Sequence, residues 1–218
     1  MHQLEQHEIF EIETLQFMKS KRLLDSLVFG GGTMLRLCHD LKRYSVYMDF
    51  YFKKKEDYDL YFSKIQNEFS NNYTVIDAYN KFNTILLEIR HDRFQRKLKI
   101  EINKKKRFAS HKTAIAYSSY STLQVHVDTV SLENMMMNKI EALLDRKEIR
   151  DAFDIEFLIR RNIKFPDDAD KAAGVLKTIK QFKKNNFAVK LGSLLQVEER
   201  EYYRQNHFKY LEHYLATI

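Results

Sequence analysis

The sequence predicts an α+β protein, with strands and helices mixed over residues 1–130 and helices alone over residues 131–218. Three observations predict it. Strand-like runs lie between residue 44 and Val127 and stop after Asp128. Within 97–103, Leu98, Ile100 and Ile102 alternate with Lys97, Lys99, Glu101 and Asn103, the period of a half-buried strand. From Ser131 onward the apolar residues recur at helical spacing instead, as Met135, Met136, Ile140, Leu143 and Leu144.

Taken in order, residues 4–27 read as a helix, with Ile9, Ile12, Leu15, Phe17, Met18, Leu23 and Leu24 at helical intervals. Val28 and Phe29 then run into Gly30-Gly31-Gly32. Thr33 is a candidate N-cap for a short helix carrying Met34, Leu35, Leu37, Cys38 and Leu41. An aromatic strand follows over 44–52 and an amphipathic helix over 57–69. Further strands are predicted over 73–78, 84–90, 97–102 and 123–127. Ser131 can cap the next helix, and another over 150–161 turns Phe153, Ile155, Phe157 and Leu158 inward. The rest, from Asp167, reads as helical. With 5 Gly and 1 Pro in 218 residues, most of the chain falls in regular elements with short connections.

Composition narrows the function. Hydrophobic residues at 44% and aromatics at 13% suffice for a packed core. The formal net charge of +7 favours a polyanionic partner such as nucleotide or nucleic acid, or simply a solvated basic surface. A single cysteine, Cys38, and the lack of a basic stretch followed by an apolar run predict a cytoplasmic protein. No apolar run approaches the roughly 18 residues of a membrane span. The 8 histidines show no metal-ligand spacing, and Cys38 with His39 makes no zinc site. The run 104–107, Lys-Lys-Lys-Arg, is a solvated loop or a contact to an RNA backbone. Met135-Met136-Met137 reads as helix core and partner surface.

The chemistry gathers at the glycines. A glycine-rich turn opening onto a helix leaves backbone N–H groups unpaired, and these with the helix dipole hold phosphate oxygens. Without Cβ atoms a triphosphate can approach the backbone closely. After the turn come Arg43 and then Ser45, Tyr47 and Asp49 at alternate strand positions, hence on one face. Carboxylates on such a face can clamp Mg²⁺ for in-line phosphoryl transfer.

Gly31-Gly32-Thr33, Leu35, Leu37, Arg43, Ser45 and Asp49 resemble the front motif of nucleotidyltransferases with a DNA polymerase beta-like core, and in particular the AbiEii-type toxins of abortive-infection toxin–antitoxin systems. That motif runs Gly-Gly-Thr, short helix, Arg, then Ser-x-Asp-x-Asp. The chain departs from it at Tyr47, where the first aspartate would stand, and a neutral phenol is a poor Mg²⁺ ligand. The resemblance implies a mixed sheet flanked by helices followed by a helical bundle. It also implies a third carboxylate from a neighbouring strand. Glu101 is the best candidate and Glu88 a weaker one; the alternative for Glu101 is a surface glutamate on a half-exposed strand.

A second segment lies far downstream. Lys139 and Arg146 are two helical turns apart and share a face, while Arg150 and Asp154 can pair on the next helix. By itself this is a salt-bridged helix surface or a cationic row for phosphates. Lys139, Ala142, Arg146, Arg150, Asp151 and Asp154 match the family's closing motif, so the resemblance covers residues 28–160 and favours the second reading.

The resemblance thus implies transfer of a nucleoside monophosphate from an NTP to a hydroxyl of RNA (a tRNA 3′ end) or of protein, with Mg²⁺ or Mn²⁺. Gly31, Gly32, Thr33, Arg43 and Ser45 are expected to hold phosphates. Asp49 and Glu101 are expected to bind metal. Lys139 and Arg146 would neutralise the triphosphate, and Asp154 would serve as a supporting acid or base. The segment 131–218 is expected to contribute its Lys139 to Asp154 stretch to the site, and a separate antitoxin is the expected protein partner. The competing reading is a catalytically weakened homologue, through Tyr47, that binds nucleotide, RNA or a protein. A plain RNA-binding module lacks any recognised signature.

Overall fold

The computed structural model describes residues 3–105 and 108–218; Lys106 and Arg107 of the basic run lie outside the described residues. The chain forms two compact units, residues 1–40 with 44–130 and residues 41–43 with 131–218.

The first unit opens with α1 (Gln3–Ser20), β1 (Leu27–Gly30), α2 (Gly31–His39), β2 (Tyr47–Phe52) and α3 (Tyr58–Ser70). It continues with β3 (Thr74–Asn80), β4 (Thr84–Arg90), β5 (Leu98–Asn103), β6 (His111–Tyr117) and β7 (Gln124–Val130). The strands form one mixed sheet in the order β3-β4-β5-β2-β1-β7-β6. β2 lies parallel to β5, and β1 parallel to β7; the other neighbours are antiparallel.

The alternation read in 97–103 becomes β5, where Leu98, Ile100 and Ile102 are fully buried and the intervening residues half-exposed. Phe29 of β1 stacks on Phe50 of β2 at 4.9 Å, both buried. Burying side chains of this size stabilises by roughly 1.5–3 kcal/mol each. α3 is started by the Asp57 carboxylate, which accepts from the N–H groups of Asp59 and Leu60, and its Tyr58 and Tyr61 rings rest against Phe52.

Three expectations are corrected. The helix over 4–27 ends at Ser20, because Arg22 adopts a left-handed φ of 56° and Leu27 begins a strand paired with β2. The strand over 44–52 starts only at Tyr47, so Ser45 lies before it. β6 was not anticipated: it is an edge strand with only Ala116 buried, too thin an apolar pattern to read.

The second unit contains α4 (Leu132–Arg146), α5 (Ile149–Arg160), α6 (Ala169–Ile179), a short π-turn and 3₁₀ turn over 186–194, α7 (Val197–Asn206) and α8 (Lys209–Leu215). Ser131 caps α4 as expected, its Oγ accepting from the Asn134 N–H at 3.4 Å. Lys147, left-handed at φ 54°, closes that helix. Met135, Met136, Ile140 and Leu143 of α4 and Ala152, Phe153, Ile155 and Leu158 of α5 are buried. Gly174 lets α6 approach α4, since a Cβ there would already sit 3.1 Å from Leu144. Residues 41–43 join this unit through Arg43, which forms an antiparallel bridge with Leu195. No local pattern marks those three residues as belonging to the helical unit.

Candidate active site

β1 passes directly into α2. Gly30 is the extended N-cap, no side chain caps the helix, and Gly31 has a left-handed φ of 73°. A Cβ at Gly31 would fall 2.0 Å from Asp49 Oδ2, so the carboxylate lies packed against the glycine turn. A Cβ at Gly30 would come within 2.7 Å of the Tyr51 ring. Glycine at both positions is therefore what brings β2 and its carboxylate up to the α2 N-terminus, where helix N–H groups favour negative charge.

Asp49 pairs in register with Glu101, and Tyr47 with Lys99, across the parallel β2–β5 ladder. In-register residues on neighbouring strands share a face, so the four side chains form a two-by-two array. Lys99 Nζ bonds the Glu101 carboxylate and stands 5.2 Å from the Tyr47 ring centroid. The Glu101 hydrogen bond, then its charge, outweigh partial burial and raise the Lys99 ammonium above its ordinary value. Glu88, the weaker candidate, is paired with Lys97 at 3.1 Å.

Thr33 does not cap α2. Its fully buried hydroxyl donates to the Tyr47 carbonyl at 2.6 Å and approaches Glu11 Oε1 at 3.4 Å. The hydroxyl ties α2 to the start of β2, leaving Thr33 only its backbone for a phosphate.

Behind the turn is a polar layer that the sequence reading missed. Glu8 holds Arg36 and accepts from Ser118 Oγ at 2.7 Å; the Arg36 guanidinium covers the Tyr44 ring at 4.1 Å. Burial first, and the neighbouring Glu8 charge second, push the Glu11 carboxyl well above its ordinary value, against Arg36 and the Thr33 hydroxyl. His7 is lowered to about 4, chiefly by burial. The readable signal was two glutamates, Glu8 and Glu11, set among the inward-facing Phe10, Ile12 and Leu15 of α1.

In the second unit Asp154 is fully buried between two cations. Arg43 grips it with two hydrogen bonds, Nε to Oδ1 at 2.6 Å and Nη2 to Oδ2 at 2.7 Å, and Lys139 Nζ reaches Oδ2 at 2.7 Å. Burial alone would raise the Asp154 carboxyl, but the charges of Arg43 and Lys139 prevail and hold it below its ordinary value. Lys139 also lies 3.5 Å from Asp151, which Arg146 holds through two bonds of 2.7 Å.

These contacts correct four expectations. Arg43, with 3% exposure, is a buried partner of Asp154 rather than an open phosphate ligand. Asp154, fixed between cations, is unsuited to taking a proton. It pairs with Arg43 and Lys139 instead of Arg150. Lys139 is 7% exposed and already engaged, whereas the Arg146 side chain remains 44% exposed. Ser45 is half-buried ahead of β2. Met135 and Met136 are core residues, with Met137 half-buried beside them.

The family model for the nucleotidyl transferase AbiEii toxin of type IV toxin–antitoxin systems matches residues 16–217. Among solved structures, JHP933 from Helicobacter pylori is similar, with a TM-score of 0.57, 18% identity and coverage of 95% of this chain and 93% of that one. The nucleotidyltransferase toxin MenT4 from Mycobacterium tuberculosis is similar with a TM-score of 0.55, 16% identity and coverage of 97% and 86%. At such identities the likeness carries the fold. No curated protein sequence matches the chain. The family implies, in general, an NTP substrate, a divalent metal and an antitoxin partner. Among the described residues no helix is long and apolar enough to cross a membrane. A family match over almost the whole length, on a fold shared with a solved nucleotidyltransferase toxin, means that the chain belongs to the AbiEii nucleotidyl transferase toxin family.

Proposed function

We propose that this chain transfers a nucleoside monophosphate from an NTP to a hydroxyl, with a tRNA 3′ end as the leading acceptor and a protein hydroxyl as the other. One observation carries this reading: the Asp49 carboxylate lies against the Gly31 turn and beside its in-register partner Glu101. Phosphate-binding N–H groups and two carboxylates then share one small area of the sheet.

In this scheme the N–H groups of Gly31, Gly32 and Thr33 orient the phosphate chain. The acceptor hydroxyl releases its proton to water, its oxygen forms a bond to the α-phosphorus, and the bond to pyrophosphate, which leaves as the anion, breaks. Among the described residues no three His, Cys, Asp or Glu side chains converge as a metal cage. Two carboxylates nevertheless fit Mg²⁺, which is commonly held by one or two carboxylates plus substrate phosphates and waters. Asp49 and Glu101 are the residues that would hold it, and the cation would supply countercharge to the phosphates during displacement. Within the second unit, Asp154 and Arg43 are assigned the positioning of Lys139, and Arg146 is that unit's more exposed cation. We place the activity in the cytoplasm, under control of a separately encoded antitoxin.

The test is incubation of purified protein with each labelled NTP, Mg²⁺ or Mn²⁺, and bulk tRNA. Label should enter tRNA, and Asp49→Ala should abolish the transfer. A second reading, a weakened homologue that binds nucleotide or RNA, is favoured by Tyr47 alone. It is supported instead if native protein transfers nothing and Tyr47→Asp gains transfer.

A further inference from the structure

The Lys99 ammonium is bonded to Glu101, one of the two carboxylates assigned to the metal above. The β2–β5 array holds two carboxylates, one ammonium and one neutral phenol: Asp49 opposite Glu101, Lys99 opposite Tyr47. Lys99 is not extended into solvent. Its Nζ is bonded to Glu101 and its charge lies over the Tyr47 ring, with the Lys99 and Glu101 side chains each 31% exposed. Two independent contacts therefore hold the ammonium in place, an ion pair and a cation–π contact. The array then has a formal charge of −1, against −2 for the two carboxylates alone.

Building on the nucleotidyl-transfer reading, we propose that Lys99 is an internal counter-cation of the metal-binding carboxylates, so that the Asp49–Glu101 pair accepts one divalent ion and does so by displacing Lys99 from Glu101. An ammonium bonded to Glu101 offsets that carboxylate's charge and takes one of its lone-pair sites, and at a few ångströms it repels a divalent ion. Tyr47 gives the displaced ammonium an aromatic face to remain on, which keeps it near any phosphate bound at the turn. Lys99 is thus a positioning residue that sets how strongly the site takes metal. It also leaves no place for a second ion on this face.

The test uses the full-length protein and Mn²⁺ alone, with free Mn²⁺ followed by electron paramagnetic resonance and folding confirmed by circular dichroism. Lys99→Met should bind Mn²⁺ on the order of tenfold more tightly than native protein. Lys99→Arg, which keeps the charge, should match native protein. Lys99→Met combined with Glu101→Gln should lose the gain. Lys99→Gln serves as a second neutral variant should Lys99→Met fail to fold. Equal affinity of native and neutral variants overturns the proposal, as does a gain that survives Glu101→Gln or two Mn²⁺ bound per native chain. Since the titration contains no nucleotide, failure of native protein to transfer label would defeat the functional reading and leave this comparison intact.

Discussion

Gly31 has space for a hydrogen and nothing larger. Its φ of 73° disfavours any L side chain, and a methyl would strike the Asp49 carboxylate. Gly31→Ala is therefore expected to cost more than about 1 kcal/mol and to displace Asp49, abolishing transfer. Chemical denaturation and the tRNA-labelling assay check the two effects separately. Thr33→Val keeps the shape and removes the bond to the Tyr47 carbonyl, and should destabilise by about 1 kcal/mol in the same denaturation measurement. Asp154→Asn removes the charge that Arg43 and Lys139 share, leaving only Asp151 near Lys139; a loss of about 3–5 kcal/mol is expected. At this scale the glycine turn and Asp49 were legible, because both belong to one short run of sequence. The partner of Arg43 was not, since Asp154 lies 111 positions away and nothing local encodes that pairing. Thr33 was misread for a related reason: the same side chain suits an N-cap and a buried tie between elements.

α1 carries a pH dependence through the titratable side chains it buries. Glu11 has a raised carboxyl, through burial and then Glu8, so the unfolded chain loses its proton first, near the ordinary value of 4.5. Above that pH, unfolding gains up to about 1.4 kcal/mol per pH unit, until the folded carboxyl ionises as well. Glu11→Gln removes this slope. Its melting temperature relative to native protein should rise from pH 5 to pH 8, and a constant difference would sink the assignment. His7, lowered to about 4, acts in the opposite window: its contribution is present above the ordinary value of 6.5 and is lost as pH falls towards 4. Among the elements, β4 matched its predicted span, with Ile85, Leu87 and Ile89 buried at alternate positions. The end of α1 was overrun because Leu23 and Leu24 prolong the helical spacing, although both are buried beyond the helix.

At the scale of the molecule, residues 41–43 belong with the helical unit although residues of the first unit flank them on both sides. A fragment of residues 131–218 would bury Asp154 without Arg43. Losing one partner of a buried pair costs about 3–5 kcal/mol, comparable with the whole stability of a unit this size at roughly 0.05–0.15 kcal/mol per residue. The fragment is expected to show no cooperative thermal transition by circular dichroism; a sharp melt would refute the argument. The change from mixed to helical structure near residue 130 was legible because hydrophobic periodicity switches there, whereas the three-residue exchange has no periodicity to betray it. The Arg43–Asp154 pair also imposes an order on synthesis. Arg43 leaves the ribosome 111 residues ahead of its partner, a wait of about 5–20 s at usual elongation rates. Until Asp154 follows, that guanidinium lacks the carboxylate it grips with two hydrogen bonds, so a translation product terminated before Asp154 cannot form that pair.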